Sequence, residues 1–386
     1  MIRIIFYLFF ILACFASCKK KPFVPVTNPS SFSFTIPALS KGINLSNWFN
    51  DYSDAAQFST RFTSISFKQI KAFGFTYVRI PIGNTILFNQ SNPSQLNQLN
   101  LQKVDAGINA AINAGLGVTI NIHPWKNEMD SLLAADPAEI IKVAAYWKAL
   151  SAYFKKYPSD KLFYEVYNEP HASAGGLTNQ PKTWWQTVQE KMIQAIRSET
   201  LDHYIIVGGE AWNNIEGLTL LQPYAYQKLI YNFHFYDPFL FTHQGASWAG
   251  WPPAVNARNV PYPSTPDNVA LLITQAGSQD LKDALNWYGS QRYNIDSLNK
   301  WVLKAVNWAK QNNVLLICNE FGSYKTFAPR QSRLIYLKDI RTVLEQNKIG
   351  WAMWEYDEGF GLTEYIGGNR NAYSTDVELL KSLGLK

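Results

Sequence analysis

The sequence has too few cysteines to build a disulfide framework. Only three of its 386 residues are cysteine, and Cys14 and Cys18 both lie in the N-terminal segment. Cys318 is the only cysteine in the rest of the chain, so an intrachain disulfide network is excluded. The stability of the fold must therefore come from its apolar core.

A basic patch is also missing. The formal net charge is +6, but Arg3 and Lys19, Lys20 and Lys21 supply four positive charges in a stretch without acids. Beyond residue 21 the chain has 31 basic and 29 acidic side chains. Such a balance argues against nucleic acid as a partner.

Several short motifs of cofactor chemistry are absent. No Gly-x-Gly-x-x-Gly follows the first predicted strand, and no His-Glu-x-x-His occurs. The glycines near Gly359 and Gly361 are too sparse for a phosphate loop, and Asp357 and Glu358 lie beside them. We therefore expect neither a dinucleotide fold nor a phosphate-handling enzyme.

The N-terminus has the pattern of a targeting segment. The apolar run 4–16 is too short to cross a membrane as a helix, and Phe-Ala-Ser precedes Cys18. This pattern resembles the lipobox of bacterial lipoproteins and predicts lipidation of Cys18. Cleavage as an ordinary signal peptide, or lipidation of Cys14, are the alternatives.

The predicted organisation is a signal peptide at 1–17, a tether at 18–38 and one catalytic domain at 39–386. A lipid anchor would attach the protein to a membrane of the bacterial cell envelope, in the outer membrane facing the periplasm or the surface. Without the anchor, the protein would be secreted.

Apolar runs alternate with helical patterns along the rest of the chain. The predicted strands are 41–46, 76–81, 117–124, 162–170, 203–209, 229–236, 314–322 and 349–356. Nearly continuous apolar strands separated by helices indicate a parallel sheet that is buried on both faces. Eight such units predict an α/β fold of the (β/α)8 TIM barrel type in a single domain.

A long connection follows the sixth predicted strand. Residues 237–293 include Trp248, Trp251 and several prolines. A connection of this length in a compact domain is usually functional, and it lies on the side where barrel active sites occur. A structural flap with buried aromatic residues is the alternative.

Polar or aromatic side chains stand at nearly every predicted strand end, where the strands of a barrel converge. They are Asn44, Arg79, His123, Asn168, Glu169, His234, Tyr236, Glu320 and Trp354. Each has an ordinary structural reading by itself, such as a core histidine or a capping carboxylate. Their repetition at the ends of apolar strands favours an active site.

The two glutamates suggest a reaction class. Glu169 and Glu320 follow strands four and seven, and paired carboxylates are typical of glycoside hydrolysis. One acid must be protonated and the other ionised. We expect Arg79 to keep one carboxylate charged, while burial and the neighbouring anion raise the pKa of the other. A metal site is the competing interpretation, but carboxylates beside an arginine make a poor metal cage.

Seven segments in order resemble glycoside hydrolase family 5, the cellulase family of retaining (β/α)8 enzymes in clan A. The segments are Gly42-Ile-Asn-Leu-Ser-Asn-Trp48, Val78-Arg-Ile-Pro81, Ile122-His-Pro-Trp125, Asn168-Glu-Pro170, His234-Phe-Tyr236, Asn319-Glu-Phe-Gly322 and Trp351-Ala-Met-Trp354. The resemblance covers about residues 40–380.

The resemblance implies catalytic roles for two residues, Glu169 as the acid/base and Glu320 as the nucleophile. It also implies that Asn168 binds the sugar 2-hydroxyl, that Tyr236 lies against the nucleophile and that Arg79 holds Glu320. The implied substrate-binding residues are Asn44, Arg79, His123, Asn168, His234, Tyr236, Trp354 and, on a looser match at strand five, Trp212. Glu165 is expected to support Arg79. No cofactor and no metal are implied.

The implied function is a retaining endo-glycosidase acting on β-1,4-glucan. A β-mannanase or a xyloglucan-type hydrolase is the alternative within the family. A non-catalytic carbohydrate-binding protein on the same barrel is the alternative from another class, although such a protein would not need both glutamates.

Overall fold

A computed structural model describes residues 34–124, 128–366 and 369–386 of the chain. Eight parallel strands form a closed barrel in sequence order, as the apolar runs predict. The strands are β1 (Lys41–Asn44), β2 (Tyr77–Ile82), β3 (Gly117–Ile122), β4 (Leu162–Glu165), β5 (Ile205–Gly208), β6 (Leu229–Phe235), β7 (Leu315–Phe321) and β8 (Gly350–Met353). The predicted (β/α)8 barrel is confirmed.

Helices surround the barrel and connect its strands. They are α1 (Ser64–Phe73), α2 (Asn84–Leu87), α3 (Gln98–Asn113), α4 (Glu128–Ala135), α5 (Pro137–Phe154), α6 (Trp184–Arg197), α7 (Ile215–Thr219), α8 (Phe239–Thr242), α9 (Pro252–Asn256), α10 (Pro266–Gln275), α11 (Gln279–Gln291), α12 (Ile295–Asn312), α13 (Arg330–Gln346) and α14 (Val377–Ser382).

The barrel strands are buried on both faces because helices cover the outside and side chains fill the inside. Nearly every residue of the eight strands is buried, including the alternate positions that face outward. A layer of apolar side chains closes the end of the barrel where the strands begin, and it includes Leu39, Tyr77, Phe163 and Ile206. The polar side chains predicted at the strand ends therefore lie at the opposite rim of the barrel.

The start of the packed domain lies slightly before the predicted position. Phe34 is buried, and the Thr35 hydroxyl donates to the carbonyl oxygen of Lys348. These residues belong to the last part of the predicted tether. Cys18 and the predicted signal peptide lie outside the described residues. Within the described ranges, no helix combines the length and the hydropathy needed to cross a membrane.

The long connection after β6 is folded rather than irregular. It contains the four helices α8 to α11, and Tyr262 and Tyr288 are buried in it. Trp248 and Trp251 are exposed, so the connection does not bury all its aromatic residues. The antiparallel pair of β9 (Thr363–Ile366) and β10 (Asn369–Thr375) after β8 was not predicted, because the apolar pattern of barrel strands is missing there.

We expect Phe163→Ala to destabilise the barrel, because Phe163 is fully buried in the layer that closes it. Removing such a ring typically costs about 3–5 kcal/mol. Urea denaturation would measure the change in the free energy of unfolding. Ile65→Ala is the control, because Ile65 is 74% exposed and its loss should cost under about 0.5 kcal/mol. Equal stability of the two variants would contradict the assignment of the core.

Candidate active site

The strand ends bring both glutamates to one rim of the barrel. In the pairing of β6 with β7, Phe233 lies opposite Cys318, but His234 lies opposite Glu320. Asn319 is therefore an extra residue in β7, which is the definition of a β-bulge. The bulge places Glu320 directly beside His234 at the mouth of the barrel.

Arg79 bonds to several residues of the site at once and lies fully buried below the rim. Its Nε and Nη2 donate to the two carboxylate oxygens of Glu165, at 2.6 and 2.9 Å. Nη1 donates to Asn44 Oδ1 at 2.8 Å and to Glu320 Oε1 at 2.5 Å, while Nη2 also donates to Asn168 Oδ1 at 2.7 Å. The five N–H groups of the guanidinium thus have five acceptors.

This network gives Asn44 and Arg79 a positioning role. Both are fully buried, whereas the resemblance placed them among the substrate-binding residues. The Nδ2 group of Asn44 donates to the carbonyl oxygens of Asn319 and Met353, at 3.0 and 3.1 Å. With Oδ1 on Arg79, its polar atoms are engaged within the protein. The contact of Glu165 with Arg79 agrees with the expectation for Glu165.

Glu169 lies at the open side of the site. It has a left-handed backbone (φ 47°), and its side chain is 29% exposed. Its Oε1 is 2.7 Å from Nδ1 of His234. Although the carboxyl opens to the mouth, the surrounding protein removes much of its hydration. Burial therefore raises the pKa of Glu169 to about 7, against the lowering effects of Arg79 and His171.

Glu320 has a different environment. Arg79 holds one oxygen, and the Tyr236 hydroxyl donates to the other at 2.9 Å. Burial raises the pKa of Glu320, while His234, Arg79 and the bond from Tyr236 lower it. The expectation that Arg79 favours the charged form agrees with this geometry, but desolvation exceeds the contribution of the arginine. The two carboxyls still differ, because only Glu320 has a direct cationic partner.

The spacing of the two carboxyls indicates how they can act. A carboxylate oxygen of Glu169, one of Glu320 and a ring nitrogen of His234 lie within 4.8 Å of one another. Retaining glycosidases hold their carboxyls about 5–5.5 Å apart, and inverting ones about 6.5–9.5 Å. The same three groups could geometrically surround a cation. However, Arg79 and Tyr236 occupy both oxygens of Glu320, and the guanidinium would repel a metal ion.

Aromatic rings lie around the carboxyl pair. The ring of Trp354 stacks on His123, with centroids 5.7 Å apart. Burial holds the pKa of His123 well below its usual range, with Arg79 and His234 adding to the effect. Trp212 is 45% exposed and stacks on His171, with centroids 5.0 Å apart. The site thus has ring surfaces beside a pair of carboxyls.

The sequence analysis missed two residues that support Glu169. His171 has Nδ1 at 2.8 Å from the carbonyl oxygen of Glu169, and its backbone N–H donates to Asp130 at 3.0 Å. Asp130 is buried and also accepts from the hydroxyl of Tyr167. The position of His171 directly after Glu169 and Pro170 was an available signal. Asp130 lies within a helix, α4, and gave none.

We expect Glu169 to titrate at about 7, because burial opposes its ionisation. The measurement is a ¹³C NMR titration of the protein with labelled glutamate side chains. The resonance would be assigned by its loss in Glu169→Gln. A midpoint near the ordinary glutamate value of about 4.3 would contradict the assignment of Glu169 as the protonated partner.

Comparison with known proteins agrees with this geometry. A family model described as Cellulase (glycosyl hydrolase family 5) matches residues 30–359. Endoglucanase 3 of Fibrobacter succinogenes is 29% identical over 88% of this chain, which spans about half of that protein (53%). Endoglucanase C of Acetivibrio thermocellus is 26% identical over 82% of this chain and 90% of its own.

Solved structures show the same similarity. Thermotoga maritima Cel5A in complex with cellobiose superposes with a TM-score of 0.70 at 28% identity, covering 90% of this chain and 97% of its own. The same enzyme with mannotriose matches equally well. The family match covers most of the described barrel together with the paired glutamates, and the chain belongs to glycoside hydrolase family 5, the cellulase family.

Proposed function

We propose that this protein is a retaining endo-glycosidase that hydrolyses β-1,4-glucan. The observation that carries the proposal is the carboxyl pair at the barrel mouth, with oxygens of Glu169 and Glu320 within 4.8 Å of each other. One carboxyl has a pKa of about 7, and the other contacts an arginine. Two-step hydrolysis needs this pairing of an acid with an anion.

In the first step, Glu320 Oε attacks the anomeric carbon and forms a glycosyl ester, while the bond to the leaving oxygen breaks. Glu169 transfers its proton to that oxygen. In the second step, water attacks the same anomeric carbon, the bond from that carbon to Glu320 breaks so that Glu320 leaves as the carboxylate, and Glu169 accepts a proton from the water. Two inversions give net retention at the anomeric carbon.

Other residues of the site have matching tasks. Asn168 Oδ1 accepts from Arg79, which leaves its NH2 group to donate to a sugar hydroxyl. His234 contacts Glu169 and Tyr236 donates to Glu320, so these two residues orient the two carboxyls. Trp354, stacked on His123, offers a flat apolar face on which a sugar ring can lie.

The named relatives favour glucan as the substrate. Two relatives are endoglucanases, and the Cel5A structure contains cellobiose. A β-mannanase or a xyloglucan-type hydrolase is the second candidate, since Cel5A was also solved with mannotriose. A non-catalytic binding protein is disfavoured, because the support of both carboxyls by Arg79, His234 and Tyr236 serves no purpose in mere binding.

We further propose that Cys18 carries a lipid that anchors the enzyme to a membrane of the cell envelope. The small residues before Cys18 and the lysines after it support this proposal. An anchored enzyme would hydrolyse glucan chains at the cell envelope, with the polysaccharide as its partner.

We expect the purified protein to release oligosaccharides from β-1,4-glucan faster than from mannan or xyloglucan. Early products observed by proton NMR should have the β configuration, because the mechanism retains it. Glu320→Gln should reduce kcat by at least about 10³-fold, since the nucleophile is lost.

The activity should also decline as pH rises above about 7, because Glu169 loses the proton that it must donate.

A substrate with an activated leaving group tests the role of Glu169, and the sizes of the products show whether cleavage is internal to the chain. An aryl cellobioside with an acidic phenol as leaving group needs no proton, so Glu169→Ala should form its glycosyl ester at a rate close to that of the wild type. Release of α-anomers would overturn the two-step mechanism. Preferential hydrolysis of mannan or xyloglucan would contradict β-1,4-glucan as the substrate. Near-normal activity of Glu320→Gln would contradict the assignment of Glu320 as the nucleophile.

We expect cells that express the full chain to incorporate radioactive palmitate into it, because lipidation occurs on the Cys18 thiol. Cys18→Ala should abolish the label, whereas Cys14→Ala should retain it. Unchanged labelling of Cys18→Ala would exclude this residue as the anchor.

A further inference from the structure

A second cleft lies in the connection after β6, apart from the catalytic residues. Its volume is about 780 Å³, which is within the range of about 300–1,000 Å³ of small-molecule sites. Its walls come from 237–240, 251–253 and α11, together with Tyr293. Neither Glu169 nor Glu320 lines it.

Aromatic rings are the first notable feature of this cleft, which we call the insert cleft. Trp251 is 38% exposed and Trp287 is 54% exposed, although both are large apolar side chains. Trp251 packs against Phe239 (centroids 6.4 Å apart), and Trp287 packs edge-on to Tyr293 (5.9 Å). The two indoles are thus held by neighbouring rings while they remain open to solvent.

Carboxylates are the second feature. Asp280, Asp283 and Trp287 are spaced three and four residues apart on α11, so they lie on the same face of the helix. Asp280 and Asp283 are exposed, and Asp237 also lines the cleft. Carboxylates accept hydrogen bonds and repel anions, which excludes phosphates and nucleic acid as ligands.

This combination matches the surface of a neutral sugar. The apolar C–H face of a pyranose ring can lie on an indole, and its hydroxyl groups can donate to carboxylates. The cleft also adjoins the catalytic centre through a row of rings. Phe239 stacks on His243 with ring centroids 4.0 Å apart, and the centroids of His243 and Tyr236 are 5.1 Å apart. Tyr236 in turn donates to Glu320.

We propose that the insert cleft is a secondary binding site for a β-linked glucan chain, outside the residues that perform catalysis. It would hold a second stretch of the polymer, or a second chain, on the same rim of the barrel. The proposal rests on the proposed glucanase function for the identity of the sugar. It predicts a contribution to the binding of long substrates and none to the cleavage of short ones.

The test separates binding from catalysis. In a Glu320→Gln background, retardation in native gels containing neutral hydroxyethylcellulose gives the dissociation constant for the polymer. Adding Trp287→Ala should weaken binding about fivefold to tenfold, as expected for one lost stacking ring. Leu271→Ala is the matched control, because Leu271 is an exposed apolar residue (66%) of the same connection that does not line the cleft.

Kinetics supply the second arm. In the otherwise unaltered enzyme, Trp287→Ala should raise KM for the polymer and leave kcat/KM for cellotetraose unchanged. Equal retardation of the Trp287→Ala and Leu271→Ala proteins would overturn the proposal, and so would an equal loss on cellotetraose. If the unaltered enzyme failed to cleave cellotetraose, the glucanase function would fall, while the gel would still report on the cleft. A basic peptide that displaced the polymer from the gel-retained protein would also contradict the assignment to a sugar.

Discussion

A single buried arginine connects the residues of the candidate active site. Arg79 has no exposed surface, and a buried cation is tolerated only where its charge and its donors are matched. Glu165 and Glu320 supply the charge, and Asn44 and Asn168 complete the set of acceptors. Strands β1, β4 and β7 each supply an acceptor to the guanidinium that β2 carries, so the site is complete only when these four strands are in place in the barrel.

The arginine also explains why two similar carboxyls differ. Glu320 bonds to Arg79 directly, so its anion is stabilised, although burial opposes ionisation. Glu169 feels the same arginine only at a distance and contacts the ring of His234, whose pKa is lowered by burial. Glu320 is therefore the carboxyl whose anion the guanidinium stabilises by direct contact. Lysine could not replace this arginine, because it has three donors and lacks the planar fork.

Much of this arrangement could be predicted from the sequence, and the reasons are physical. The apolar runs predicted the eight units of the barrel. Asn168, Glu169 and Glu320 could be predicted because they stand in short motifs that resemble those of the family. The bulge at Asn319 could not be predicted, since it is a matter of register between two strands. The burial of Asn44 was also unpredictable, because an amide at a strand end can face the substrate or the backbone.

The long connection illustrates the same limit. Its length and its tryptophans indicated a functional segment, but the face shared by Asp280, Asp283 and Trp287 depends on α11, which the sequence analysis did not identify. Asp130 gave no signal for a similar reason. It reaches Glu169 through His171, whose backbone N–H donates to Asp130, and this is a contact between distant parts of the chain.

The closed end of the barrel has a consequence for how substrate reaches the enzyme. Leu39 and its apolar neighbours fill the end where the strands begin. The carboxyls of Glu169 and Glu320 lie at the other end of the barrel. Because apolar side chains fill the closed end, a bulky substrate can reach the two carboxyls only from the open rim.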